Sequence, residues 1–440
     1  MIKIRNIFGS KKPICYRFFG VPLRRQLIFC AGIAAMQFMQ SPAVAEDNTN
    51  GLTLAEAIRR TFNNHPDLQT FHYRLDAQEG RITQAGLSPK PEVELAIEDA
   101  LGTGDVSGFK SAQTTLSVSW VLDRSIKAKR TAVAWEGKRL IDSERKIKQL
   151  DSATQTARYF LTALSYQEST VIANRAIMLA ETTIKEITNR VKIGKSPFAE
   201  LLRAEADLAK RKLVLLNLKH ELASSLHQLA AQWGSSAPTF SSLSGTLTNQ
   251  PGIIAFQDLK AQIRDNPSLA KYLSLERVKE AELKLALEER NPQWKFSTGI
   301  RRYERSNDFG VVARVSIPFG GSNRNQGRIA EARAKMSQNQ AEADALRIRM
   351  ETSLYVVYQK LLRNIHLSDM LKKDVIPRLE QALTETRKAY DLGKYSYLEW
   401  MAVQNDLLDA QSTLLAASLE AHLNKIELER LTGAKITSPF

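Results

Sequence analysis

The chain has 440 residues, a net charge of +15, two cysteines and a hydrophobic fraction of 43%. Seven of its 62 basic residues precede position 46, where no acid occurs, so the remainder carries only about +8, spread along predicted helices. That modest excess does not indicate a nucleic-acid-binding protein. Cys15 and Cys30 both lie in the same first segment, so neither disulfides nor thiol chemistry are expected beyond it.

Residues 1–45 have the pattern of a secretory signal peptide. A basic stretch is followed by a short apolar run at 27–39 and by Ala43-Val44-Ala45, which suits a cleavage site. No apolar run of about 18 residues follows, so we predict an exported chain without a transmembrane helix. Lipidation of Cys30 is not expected, because the bulky Phe29 directly precedes it.

Two copies of one design follow, offset by about 200 residues. We assign residues 46–250 to the first copy and 251–440 to the second. Each is predicted to run helix, strand hairpin, very long helix, glycine-containing turn and long return helix. The matching positions are Gly194 and Gly393, Lys195 and Lys394, Glu200 and Glu399, Asp207 and Asp406, and Gly234 and Gly433.

Most of the chain is predicted to be helical. The first helix runs from a cap at Thr53 to about Leu87, and its counterpart covers about 256–289. Very long helices are predicted at 125–192 and 323–392, each about 67 residues or roughly 100 Å. They end at turns 192–197 and 391–397. The return helices repeat leucine and alanine every seven residues in two adjacent seams, which predicts a wall of antiparallel coiled coils. The first-copy seams are Leu201, Leu208, Leu215, Leu222, Leu229 and Leu202, Ala209, Leu216, Ala223, Ala230.

Four strands are predicted, because apolar residues alternate there with polar or small ones. Such faces fit lipid outside and water inside, whereas hairpins packed on a helical core are the alternative. Four strands cannot close a barrel, and open sheet edges are not tolerated in lipid, so we expect three chains to supply about twelve strands. The strands are at about 92–98, 114–122, 294–303 and 309–319. The expected lipid-facing residues are Leu116, Val118, Trp120, Val315 and Ile317.

This combination resembles the TolC-like outer-membrane factors of tripartite efflux and type I secretion systems, over essentially all of residues 52–433. Within that family the chain is most similar to the heavy-metal branch typified by CzcC and CusC. It departs from that branch at Arg124-Ser125-Ile126-Lys127, where Gly-Gly-Lys-Arg is usual. The residues that carry the branch resemblance are AGLSPKPE at 85–92, TTLSVS at 114–119, SIPF at 316–319 and NQG at 325–327.

The resemblance implies a mainly α fold with a small β part, namely a trimeric 12-stranded outer-membrane β-barrel that continues into a periplasmic α-helical barrel. It implies a passive exit duct working with an inner-membrane pump of RND or ABC type and a periplasmic adaptor, the membrane fusion protein. A pore-less periplasmic coiled-coil adaptor is the alternative from another class. The implied adaptor-docking turns contain Gly194, Lys195, Ser196, Gly393 and Lys394.

The resemblance also places the entrance of the duct at these turns. Glu399 matches an acid that constricts the entrance, with Glu200 as its first-copy counterpart, and Tyr390 matches a tyrosine that helps to hold it closed. Tyr395 stands where arginine is typical, and Ala402 where a second acid is typical. Three Glu399 carboxylates facing one another would raise each other's pKa. A solvated carboxylate at a helix start is the alternative.

No catalytic residue, cofactor or metal ligand is predicted. Gly194-Lys195-Ser196 resembles the end of a phosphate-binding loop, but Asn189 replaces the earlier glycine and no strand precedes it. The histidine pairs at 65 and 72 and at 220 and 227 are each two helical turns apart, too far to share one ion. No Gly-x-Ser-x-Gly motif or convincing triad is present.

Overall fold

The computed structural model describes residues 51–319 and 325–436. The predicted signal peptide therefore lies outside the described residues. Both halves have the same order of elements: two helices, a hairpin and long helices joined by a turn. The first half contains α1 (Leu54–Asn64), α2 (Pro66–Ala85), β1 (Glu92–Glu98), β2 (Gln113–Leu122), α3 (Arg124–Lys192) and α4 (Phe198–Ala231). The second contains α5 (Phe256–Gln262), α6 (Pro267–Glu288), β3 (Trp294–Tyr303), β4 (Asp308–Ser316), α7 (Gln326–Met370), α8 (Ile376–Asp391) and α9 (Tyr397–Thr432).

The first helix of each half is interrupted by a proline, so the prediction of one continuous helix there was wrong. His65 and Asn266, the residues before the two prolines, have extended backbones with ψ of 123° and 128°. Proline disfavours helical geometry in the residue before it and supplies no N–H, so the first helix ends there and the proline begins the next. The same break at equivalent positions supports a repeated design.

The very long helices form as predicted, with one irregularity. The helix α3 has 69 residues and is ~100 Å long. Between α7 and α8 the chain forms a π-helical turn, Leu371–Val375, immediately before Pro377. Because proline removes a hydrogen-bond donor and crowds the preceding turn, the local widening lets the long helix continue past it.

The four strands form one antiparallel sheet in the order β1-β2-β3-β4. The two halves join in this sheet, since β2 pairs with β3, with Leu122 opposite Trp294. The outer strands β1 and β4 are its edges. The strand predicted at 309–319 was too long: β4 ends at Ser316, and Ile317 lies beyond it. Pro318 follows Ile317 and has no N–H to donate to a ladder.

The helices pack around a core at mid-length, where the linker 234–255 runs along α3. Phe160, Leu161 and Leu164 of α3 are fully buried there. The side chain of Gln167 holds the linker by donating to the carbonyl of Leu243 at 2.9 Å and accepting from its N–H at 2.8 Å. In the described part of the chain, none of the helices has both the length and the apolar character needed to cross a membrane.

Replacing Asn266 with alanine should destabilise the protein more than the same change at its first-copy counterpart, His65. The buried Asn266 amide donates to the carbonyls of Arg430 and Leu431 at the end of α9, and its oxygen caps Ser268 of α6. His65 caps only α2, through Asp67. We expect a loss of ~2–4 kcal/mol for Asn266→Ala and ~0.5–1 kcal/mol for His65→Ala. Denaturant titration monitored by circular dichroism measures both, and equal losses would contradict the bridging role.

Candidate functional site

The sheet is inverted relative to that of a water-soluble protein. Its apolar face is exposed, with Leu116 at 55%, Val118 at 40% and Trp120 at 43% exposure. On the other face, Thr115 and Ser119 are only 6% and 3% exposed. An antiparallel sheet in water buries its apolar face instead, so this arrangement fits an outward face in lipid. Val315 is exposed like the other predicted lipid-facing residues, and Ile317 is exposed just beyond the strand.

Aromatic side chains cluster on the apolar face at the end of the sheet next to the long helices. The ring of Phe296 lies 6.3 Å from that of Trp120 and 6.2 Å from that of Trp294, measured between centroids. Tryptophan and other aromatic residues are enriched where a membrane meets water. This cluster therefore marks one boundary of the apolar band.

The polar face of the sheet carries charged side chains that pair with one another. Arg301 of β3 donates to the Glu98 carboxylate of β1 at 2.6 Å and to the Thr115 hydroxyl of β2 at 2.9 Å. Lys295 of β3 lies 2.5 Å from a Glu92 oxygen of β1. Both ion pairs join β3 to β1, so polar side chains cover this face of β2.

At the opposite end of the helices lie the two predicted turns, which share one geometry. Gly194 and Gly393 have φ of +70° and +72°, a left-handed conformation that glycine adopts without steric cost. The following residues, Lys195 and Lys394, donate their N–H groups back to carbonyls in the last turn of the preceding helix, at 2.8 and 2.9 Å. This hydrogen bonding is typical of helix C-termini that end in glycine, and it reverses the chain within a few residues.

The two turns differ in how they begin the next helix. In the second copy, Ser396 caps α9 and forms a capping box with Glu399, whose carboxylate accepts from the Ser396 N–H at 2.6 Å and its hydroxyl at 2.9 Å. The Ser396 N–H and hydroxyl lower the pKa of Glu399. Within one chain the exposed Glu399 is therefore a helix-start carboxylate, the alternative considered above. The rise in the pKa of Glu399 that three facing carboxylates would cause requires the neighbouring chains of a trimer.

In the first copy, Pro197 stands where Ser396 stands in the second, and it has no side-chain cap to offer. Glu200 is therefore not held in a capping box. Its side chain is half-buried, and its Oε2 atom is shielded from solvent. The equivalent acids of the two copies thus occupy different environments.

Tyr390 lies at the centre of a buried cluster beside the turns, 2% exposed, with its ring 5.1 Å from that of Trp400. Burial raises the pKa of Tyr390, the neighbouring Ser196 opposes this rise, and the negative charge of Glu200 adds to it. The Tyr390 hydroxyl is buried without a hydrogen-bond partner among the described residues. Burial also raises the pKa of neighbouring Tyr397 to about 12. The structure therefore brings Tyr390, Ser196 and Glu200 together, whereas Glu399 and the 48% exposed Tyr395 lie outside the cluster.

This cluster is reinforced by contacts between the first and second halves of the chain. The sequence did not predict these contacts. The Arg190 guanidinium lies 4.2 Å from the Tyr390 ring centre and donates to the Tyr390 carbonyl at 2.8 Å. Nearby, Arg387 forms an ion pair with Glu186. The partners are 200 and 201 positions apart, close to the repeat offset. Because equivalent positions of the two halves meet at the turn end of the body, the repeat offset was the sequence signal available for these pairs.

Among the residues that the structure describes, no group of three or more His, Cys, Asp or Glu side chains is placed to hold a metal ion. His422 is buried, with Nε2 3.2 Å from the carbonyl oxygen of Leu247, and it contacts the linker. His422 therefore packs as a structural residue against the linker.

Comparison with known proteins agrees with this geometry. A sequence profile of the family described as outer membrane efflux protein matches residues 57–235 and 260–434. The chain belongs to this family. The match covers one long segment of each half, which fits the repeated design.

Individual relatives extend the comparison. The cobalt-zinc-cadmium resistance protein CzcC of Cupriavidus metallidurans is 26% identical over 408 residues, covering 90% of this chain and 94% of CzcC. The solved structure of CusC has a TM-score of 0.68 at 15% identity, covering 87% of this chain and 92% of that one. The outer membrane channel MtrE of Neisseria gonorrhoeae has a TM-score of 0.68 at 14% identity, covering 88% and 90%. These structures confirm the predicted mainly helical fold with a small sheet.

The inverted sheet predicts opposite responses to charge on its two faces. Val118→Arg places a charge on the apolar face and should destabilise the membrane-inserted protein by ~2–4 kcal/mol near the bilayer midplane. Ser117→Arg places the same charge on the polar face, where Glu94 stands opposite, and should be tolerated. Folding yield into lipid vesicles measures the difference, and equal yields would show that the assigned faces are wrong.

Proposed function

We propose that three copies of this chain form a passive exit duct in the outer membrane of a Gram-negative bacterium. The observation that carries the proposal is a four-stranded sheet with an apolar outer face and two unpaired edges. In lipid, every backbone polar group needs a partner, so the edges have to pair with other strands. Three chains supply twelve strands, within the range known for outer-membrane barrels.

The helices support the same assembly. On α4, Leu202 and Leu216 of one heptad seam are 51% and 50% exposed, while the adjacent seam faces α3 within the chain. A neighbouring copy that covers this seam would continue the helical wall, as predicted from the two seams. The duct then extends ~100 Å from the barrel into the periplasm, the length of α3.

The duct works with a periplasmic adaptor and an inner-membrane pump that supplies the energy. The adaptor docks on the turns at Gly194 to Ser196 and at Gly393 and Lys394, which form the end of the body farthest from the sheet. A pore-less adaptor, the alternative from sequence, is disfavoured because the outer membrane efflux profile covers both halves of the chain.

We propose that the cargo includes divalent heavy-metal cations. This rests on CzcC, whose name describes cobalt, zinc and cadmium resistance and which matches nearly the whole chain. Deleting the gene should make its bacterium more sensitive to these ions than to organic drugs. The opposite ranking would assign the duct to drug export.

At the entrance, we assign separate roles to the two halves of each chain. Tyr390, Ser196 and Glu200 hold the closed state, because they meet in the buried cluster beside the turns. Glu399 is exposed at the same end, and in a trimer its three copies form an acidic ring that attracts cations. Tyr395, exposed in the second turn, lines the same entrance.

Assembly is the direct test of the duct. The detergent-solubilised protein should be a trimer by light scattering, migrate as a heat-sensitive oligomer on gels, and conduct ions in planar bilayers. A folded, monodisperse monomer would refute the barrel. Recovery of the chain only from the soluble periplasm would favour the adaptor instead.

Substitutions at the entrance should separate closure from selectivity. Tyr390→Phe and Glu200→Gln should each raise the basal conductance, about tenfold for every 1.4 kcal/mol by which the closed state is weakened. Glu399→Gln should leave closure intact and weaken cation selectivity and block by multivalent cations. Glutamine still completes the capping box, so this change removes only the charge.

The pH dependence gives a further check on Glu399. Ser396 lowers its pKa, so the carboxylate stays charged as the pH falls, and selectivity should be lost only below the ordinary glutamate value of about 4.3. Loss above that value would show that repulsion within the ring outweighs the cap. Tyr395→Phe is the matched control for closure, and an effect equal to that of Tyr390→Phe would contradict the assignment.

A further inference from the structure

The charges on the polar face of the sheet are paired within the chain, with three exceptions on its edges. Glu92 pairs with Lys295 and Glu98 with Arg301. Glu94 of β1 has no ion pair or hydrogen bond to any residue that the structure describes, and neither have Asp308 and Arg314 at the two ends of β4. The β1 edge therefore carries a free negative charge, and the β4 edge carries a free positive charge at Arg314 and a free negative charge at Asp308.

These two side chains point to the same side of the sheet. Glu94 alternates with the exposed apolar residues Val93 and Leu95, and Arg314 alternates with Ala313 and Val315. Both therefore face the polar side, which the proposed barrel fills with water. Within one chain β1 and β4 are three strand spacings apart, ~14 Å, so the two edges face away from each other.

Within one chain, the register places the two charges at nearly the same level of the sheet. Arg314 pairs with Ser297, Ser297 with Ser119, and Ser119 with Glu92. Glu94 is two residues farther along β1, ~7 Å. Diagonal neighbours on adjacent strands lie within reach of long side chains, and Arg301 already reaches Glu98 across two strand spacings.

We propose that Glu94 of one copy forms an ion pair with Arg314 of the next copy across each seam of the barrel. The inference rests on the proposed trimer. The strands alternate in direction, so β4 of one copy meets β1 of the next in antiparallel orientation, as an up-and-down barrel requires. Asp308, the other charge facing this side of β4, is six residues from Arg314, ~20 Å along the strand, and does not compete.

The charges also determine which strand edges can associate. Three glutamates line the polar side of β1, so two β1 edges would bring like charges together, which destabilises cross-strand pairs. An acidic edge that prefers a basic edge favours head-to-tail association, and head-to-tail contacts close into rings. Glu94 and Arg314 therefore specify a ring rather than a two-fold dimer.

Charge reversal tests the pair in the full-length protein. Glu94→Arg and Arg314→Glu should each make the trimer dissociate about tenfold faster in sodium dodecyl sulfate, because three seams lose a pair and gain a repulsion. The double reversal should restore the rate to near that of the unmodified protein. The matched control exchanges Glu98 and Arg301 by Glu98→Arg with Arg301→Glu, a pair within one chain, and its single reversals should affect dissociation less.

A milder series covers the case in which the reversed chains fail to insert. Glu94→Gln, Arg314→Gln and the double variant form a cycle, in which the second substitution should have little effect once the first is present. Additive effects would overturn the pair, as would a double reversal no more stable than the worse single reversal. If those variants remain trimers by light scattering, the proposed duct stands and only the pair is lost. A monomeric unmodified protein would overturn both.

Discussion

A sheet whose apolar face is turned outward constrains everything else in this protein. Such a face is stable only in lipid, and lipid offers no hydrogen bonds to the backbone groups along an open edge. One chain provides four strands and two edges, so the proposed solution is to share edges among copies. The same requirement applies to the helical wall, because one heptad seam of α4 is exposed in a single chain and a neighbouring chain would cover it.

The two halves share one design and differ at the turns, where the return helices begin. A serine at position 396 ties Glu399 to the start of α9, whereas Pro197 at the matching position leaves Glu200 beside Tyr390. A single exchange of a capping residue for proline therefore separates two acids that the repeat makes equivalent. In the proposed trimer this gives six acidic side chains at one end with two distinct tasks.

Much of the fold could be predicted from sequence, because long periodic patterns determine it. The heptad repeats predicted the long helices, and period-two alternation predicted the strands to within a few residues. The breaks at Pro66 and Pro267 were missed, since a helical pattern continues on both sides of each proline. The sequence resemblance favoured Glu399 as the principal acid. Its capping box was missed, although a serine three residues before a glutamate is the sequence signature of one. The contact of Arg190 with Tyr390 depends on how the two copies pack, which no local pattern shows.

The pairing of β2 with β3 has a consequence for the order of synthesis. The end of β2 at Leu122 and the start of β3 at Trp294 are separated by α3, α4, the linker, α5 and α6. At about 5–20 residues per second, a ribosome takes roughly 10–30 s to make that interval. Throughout it, β2 lacks the strand that pairs with it, and an unpaired strand edge is prone to aggregation. The length of the helical interval thus sets the minimum time for which that edge stays open.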